Sequence, residues 1–305
     1  MSTHAELAPS PAAVHQTRPF FWSVRREVWE NRAIWIAPLT AAGFVLFGVA
    51  IGLLRRPHVL QKISQMPPDA QAAIHLIPYG IAILAILATT TIVALFYCLG
   101  ALYNERRDRS ILFWKSMPVS DLTTVLAKAS VPLVILPLLA FVVICATQLV
   151  MLLLGAAAAL ASAPGAAPLW ASVPLLRMWG LLFYALVTLT LWNAPLYGWL
   201  LVISAWARRG PFLWAILPPF AIAIVETLAF ETSHFADFVA YRLHGGVGEA
   251  FVSLPHHAKN AKMNFQWPVP DPAKFFSTPG LWFGLLAAAA LLALAVWLRR
   301  RREPL

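Results

Sequence analysis

The chain has 305 residues, of which 60% are hydrophobic and only 12% charged. A soluble domain carries about twice that share of charge, and the mean hydropathy here is +0.71. These values exclude an ordinary soluble enzyme, a disordered chain and a disulfide scaffold, and the long apolar blocks point to an all-α polytopic membrane protein. The 23 Lys and Arg outnumber the 13 Asp and Glu, for a formal charge of +10. In a membrane protein such an excess flanks the spans and faces anionic lipid, so no nucleic-acid partner is expected.

Residues 1–17 are polar and small, without the apolar core of a signal peptide, and are expected to be a flexible N-terminus. Residues 18–33, RPFFWSVRREVWENRA, place Phe21, Val24 and Val28 at helical spacing, with Trp22 and Trp29 adjoining. Arg25, Arg26, Glu27 and Glu30 take the rest of the circumference, and Pro19 suits a helix start. The pattern predicts an amphipathic helix in the membrane interface.

Six apolar blocks follow, at roughly 34–54, 76–102, 126–154, 175–206, 211–231 and 280–298. A span needs about 20 helical residues, so the third and fourth must tilt, bend or project. Pro132, Pro137 and Pro195 are expected kinks, and Pro218 and Pro219 should disturb the fifth block. With the N-terminus inside, Arg18, Arg25, Arg26 and Arg32, then Arg106, Arg107, Arg109, Lys115 and Lys128, then Arg208 and Arg209, and finally the basic tail 299–305 all face the cytoplasm. That is most of the basic residues, so both termini are expected to be cytoplasmic, in the cell (inner) membrane.

Several tryptophans lie near block ends, where the interface favours indole, while Trp192 and Trp199 lie deeper and read as packing residues. Cys98 and Cys145 sit at different depths, which argues against a bond between them. Glu226 is the one acid well inside a block; it either lines a substrate path, pairs with a neighbouring helix, or sits shallow beneath a re-entrant turn. Asn193 and Thr90 are further polar groups at membrane depth, open to the path or to helix packing. Residues 232–279 form an outer segment with His234, His244, His256 and His257. No two of these have the i, i+4 spacing of a helical metal site, and the segment is expected to be a partly helical cap that dips back before the last span.

The link 103–128, YNERRDRSILFWKSMPVSDLTTVLAK, is the most informative stretch. Its start is dense in charge, Ile111, Leu112, Phe113 and Trp114 are bulky and apolar, and Met117-Pro118-Val119 breaks the chain. Ser120 is an expected N-cap with Asp121 in the first turn. A short apolar helix pushed out beneath a membrane suits a groove on a partner protein.

Glu105-Arg106, the apolar Ile111–Trp114, the Pro118-Val119-Ser120 turn and Lys128 resemble the first cytoplasmic link of type-2 membrane permeases of ATP-binding-cassette (ABC) transporters. Arg109-Ser110 stands where that family has a small Gly-Thr pair. The resemblance implies that 108–122 is a coupling helix docked in a cleft on a separate ATPase subunit, with Glu105, Arg106, Arg107, Asp108, Ile111, Phe113, Trp114, Met117 and Pro118 as its coupling residues. It also implies a second permease chain, identical or different, and membrane lipids around both. No G-x-x-x-x-G-K-[ST] occurs, so this chain is not expected to be an enzyme, and ATP and magnesium are expected on the partner. An ion-coupled secondary transporter, an intramembrane enzyme and a non-transporting scaffold are the alternatives. The first usually carries repeats and several midplane acids, which are not evident here.

Overall fold

The computed structural model of the protein describes residues 18–55, 68–110, 119–162, 173–252 and 267–301. These are overwhelmingly helical, with one isolated antiparallel bridge between Phe251 and Pro270. Helix α1 (Pro19–Glu30) begins on a proline, whose fixed φ and missing N–H suit a first turn. Asn31 ends it, donating from its backbone and its side chain to the Glu27 carbonyl at 3.1 and 3.0 Å. There follow α2 (Ala33–Arg55), α3 (Pro68–Ala101), α4 (Tyr103–Arg107), α5 (Asp121–Ser130), α6 (Leu136–Ser162), α7 (Leu175–Trp206), α8 (Pro211–Phe230), α9 (His234–Ala250), α10 (Pro272–Ser277) and α11 (Pro279–Arg301).

Six helical runs are long and apolar enough to cross a membrane: α2, α3 with α4, α5 with α6, α7, α8 and α11. That fits an integral membrane protein. The runs agree with the predicted blocks, except that the second begins at Pro68 and the third extends from Asp121 to Ser162. The 41 residues Asp121–Ala161 measure about 60 Å at ~1.5 Å per residue, against a hydrocarbon core of about 30 Å.

Between α5 and α6 the helix widens into a π-turn, Val131–Ile135, that contains Pro132. The ring removes one hydrogen bond and the wider turn absorbs the misfit. At the other prolines the helices are unbroken: Pro137 lies in the first turn of α6, and α7 and α8 run on through Pro195 and Pro218-Pro219. A proline removes a single bond, and membrane helices tolerate that loss.

Helices α2, α3, α6 and α7 bundle around apolar clusters stacked along their length. Ile34, Tyr97, Cys98, Val131, Leu136 and Leu201 fill one end. Ala42, Ile86, Ile144 and Leu182 fill the middle, and Leu76, Tyr79, Met151 and Met178 fill the far end. Helix α11 lies along α7 where Gly198 allows a close approach; a Cβ there would stand 3.1 Å from Leu291 Cβ. Helix α8 buries none of its residues, and large apolar side chains such as Phe44, Leu84 and Leu228 face outward, as a lipid-facing surface requires.

Helices α9 and α10 belong to the 232–279 segment, which is partly helical as expected. Helix α9 packs against α7 at Trp192, which is fully buried and donates from its indole N–H to the Arg242 carbonyl at 2.9 Å. A Cβ on Gly246 would lie 2.8 Å from the Trp192 ring, so only glycine fits there. Trp192 is therefore a packing residue, and so is Trp199, whose indole N–H reaches the Ala215 carbonyl at 3.4 Å. Cys98 and Cys145 are free.

Candidate functional site

At the basic end of the bundle, four separate segments bring charged side chains into a buried cluster. Glu27, on the inward face of α1, is 1% exposed. It accepts from Lys128 Nζ at 2.8 Å and Arg26 Nη2 at 2.9 Å on one oxygen, and from the Tyr97 hydroxyl at 2.8 Å on the other. Lys128, in the last turn of α5, also reaches Glu105 at 3.0 Å. The second Glu105 oxygen accepts from Arg299 of α11, whose Nε donates to Asp121 at 3.0 Å. Arg26 approaches Glu105 at 3.6 Å as well.

Three carboxylates (Glu27, Glu105, Asp121) thus meet three cations (Arg26, Lys128, Arg299). Balanced charge and several short hydrogen bonds make such burial tolerable. Burial pushes the Glu27 carboxyl up, but attraction to Lys128 and hydrogen bonds from Lys128, Arg26 and Tyr97 outweigh it and hold the group below its ordinary value.

The backbone around the cluster is fixed by a second set of bonds. Ser204 Oγ, near the end of α7, accepts from the N–H groups of Leu102 and Tyr103 at 3.0 and 2.9 Å, which pins the α3–α4 corner. Arg106 donates to the carbonyls of Ala205 at 2.6 Å and Ala207 at 3.2 Å, satisfying orphan acceptors at a helix C-terminus with a positive charge. On the other side, Ser120 caps α5 by accepting from the Thr123 N–H at 3.1 Å, as expected.

Residues 108–120 join α4 to α5, and the network grips both stems. The first is tied to α7 by Ser204 and Arg106 and to α11 by Glu105. The second is tied to α1 by Lys128 and to α11 by Asp121. The two stems are thus tied to α1, α7 and α11, next to the π-turn.

The coupling residues read from the sequence divide three ways. Glu105 and Arg106 are buried, 8% and 3% exposed, and serve the bundle's interior in this form. Arg107 and Asp108 are exposed and pair with each other at 3.3 Å. Ile111, Phe113, Trp114, Met117 and Pro118 lie outside the described residues.

The three path residues are not joined to one another by any described contact. Thr90 and Asn193 each donate within their own helices, to the carbonyls of Ile86 at 2.7 Å and Leu189 at 2.9 Å. Glu226 accepts from the Phe235 N–H at 2.8 Å and the Thr232 hydroxyl at 3.1 Å. It sits one turn from the end of α8 and takes an orphan donor at the start of α9, where the helix dipole favours an anion.

Glu27, Asp121, Arg299 and Ser204 were not recognised as site residues in the sequence. One signal was present: a lone Lys128 leading an apolar run requires a partner acid at the same depth. No protein-family model, curated protein or solved structure matches the chain.

Proposed function

We propose that the chain is a permease subunit of an ABC transporter of the type-2 kind, with its basic end toward the cytoplasm. In this reading a separate ATPase subunit binds ATP and magnesium, grips the 108–120 link, and drives the bundle between inward-open and outward-open forms. The carrying observation is the clamp on the two stems of that link. A link that only joined two helices would have no need of six interlocked charges, four of them buried, and a serine fixing its exits. The network makes the base of the bundle stiff, so displacement of the link moves α1, α5, α7 and α11 as one body.

Two further features support this reading. Arg109 has φ +57°, a region in which glycine is at ease, and it occupies the position of the glycine in the family's small pair. No residue of helix α8 is fully buried within one chain, which leaves much of its surface for lipid or a second permease chain. The apolar, aromatic interior favours an amphipathic or hydrophobic substrate, and export.

The test is co-expression with the ATPase subunits of the same cell, purification through this chain, and measurement of bound ATPase and its turnover. Arg107→Glu with Trp114→Ala should release the ATPase while the permease stays monodisperse. Arg106 is unsuited to this test, because its loss uncaps α7. Absence of any P-loop ATPase from the wild-type complex would overturn the proposal.

A further inference from the structure

Two adjacent arginines of α1 have opposite fates. Arg26 turns inward to Glu27, Glu30 and Glu105. Arg25 turns outward, and its guanidinium carbon lies 5.2 Å from the Trp22 ring centre and 4.9 Å from that of Trp29. Among the described residues, no carboxylate lies within ion-pair distance of Arg18, Arg25 or Arg32.

The spacing 22, 25, 29 is that of one helix face, so Trp22, Arg25 and Trp29 form a basic and aromatic stripe along α1, with Arg18 and Arg32 just beyond its two ends. All five are exposed; Trp22 and Trp29 are 57% and 69% exposed. Arg32 stands at the start of α2, where Trp35 and Leu39 follow at helical spacing, 42% and 50% exposed.

We propose that this stripe is a binding site for the phosphodiester headgroup of an anionic phospholipid. The chemistry matches on three counts. A guanidinium held between two indoles is pre-organised and still offers edge N–H donors to phosphate oxygens. Arg18 and Arg32 bracket it with further unpaired positive charge. Indole favours the depth at which headgroups lie, and the exposed Trp35 and Leu39 that follow on α2 select a lipid, whose tails need an apolar surface, over free phosphate. The site does not depend on the permease reading.

The test is native mass spectrometry of the full chain in mild detergent, titrated with phosphatidylglycerol and with phosphatidylcholine of the same acyl chains. The wild type should bind phosphatidylglycerol more tightly. Each arginine near an anionic surface is worth about 1 kcal/mol, which is roughly fivefold in affinity. Arg25→Gln should therefore weaken binding about fivefold, and Arg18→Gln, Arg25→Gln and Arg32→Gln together about a hundredfold. Arg177→Gln, which removes the arginine lying over Trp267 elsewhere in the chain, should change nothing. Equal binding of the two lipids by the wild type, or unchanged phosphatidylglycerol binding by Arg25→Gln, would overturn the proposal. Displacement of the bound lipid by millimolar inorganic phosphate would overturn the lipid assignment.

Discussion

Replacing Lys128 by methionine removes the cation that lies within 3.0 Å of both Glu27 and Glu105. The ammonium is 3% exposed and lies 2.8 and 3.0 Å from those carboxylates. Methionine fills a similar volume, so the loss is electrostatic rather than a cavity. Breaking a buried pair by deleting one partner costs about 3–5 kcal/mol. Here Glu27 keeps Arg26 and Tyr97, and Glu105 keeps Arg299, which places the effect at the lower end, about 3 kcal/mol. At roughly 2–4 °C per kcal/mol for a chain of this size, Tm should fall by about 6–12 °C. The assay is thermal unfolding in one detergent at pH 7, with Glu27→Gln and the double variant completing a mutant cycle. Removing the acid together with its cation leaves fewer unpaired charges, so the double variant should be more stable than the sum of the two losses implies, by at least about 1 kcal/mol. A Tm unchanged in Lys128→Met, or strictly additive losses, would refute the clamp.

Three further outcomes follow from the same geometry. Because the folded state holds the Glu27 carboxyl below its ordinary value, its contribution is complete above about pH 4.3 and is lost as pH falls further; Tm measured from pH 7 to 3.5 should show that loss in the wild type and a smaller one in Glu27→Gln. Arg109→Gly should leave thermal stability unchanged or raised, whereas Arg109→Val, β-branched at φ +57°, should lose about 1 kcal/mol or more in the same assay. Glu226→Gln keeps an acceptor for the α9 amide but not the charge, so it should lower stability by no more than about 1 kcal/mol and leave ATP turnover of the assembled complex intact; a large fall in turnover without loss of assembly would return Glu226 to the substrate path.

Much of the fold was legible because lipid imposes one requirement at a time: apolar length. The blocks at 175–206 and 211–231 meet their helices within a residue. The apolar part of the third block starts at 126, while Asp121 and Lys128 are charged members of the same helix, which Ser120 caps as the sequence suggests. They extend the helix because each finds a counter-charge, on α11 and α1 respectively. Those partners lie about a hundred residues or more away in sequence, at Glu27 and Arg299, where no periodicity reaches.

The same limit applies to the site. The charged start of the link was recognisable, but the inward turn of Glu105 and Arg106 was not, since it depends on where α7 and α11 end. Glu226 was visible as an anomaly inside a span, with a shallow seat under a turn as one option. Its partner became definable only with the start of α9 at His234.

The central claim is that residues 108–120 are held by an ATP-driven partner. A photo-crosslinking amino acid at position 114, in the full chain in its own cells, tests it most directly. The account expects capture of a P-loop ATPase, identified by mass spectrometry, with a yield that changes when ATP is depleted. No capture at 114 with the chain correctly inserted, or labelling of that position from the far side of the membrane, would contradict it.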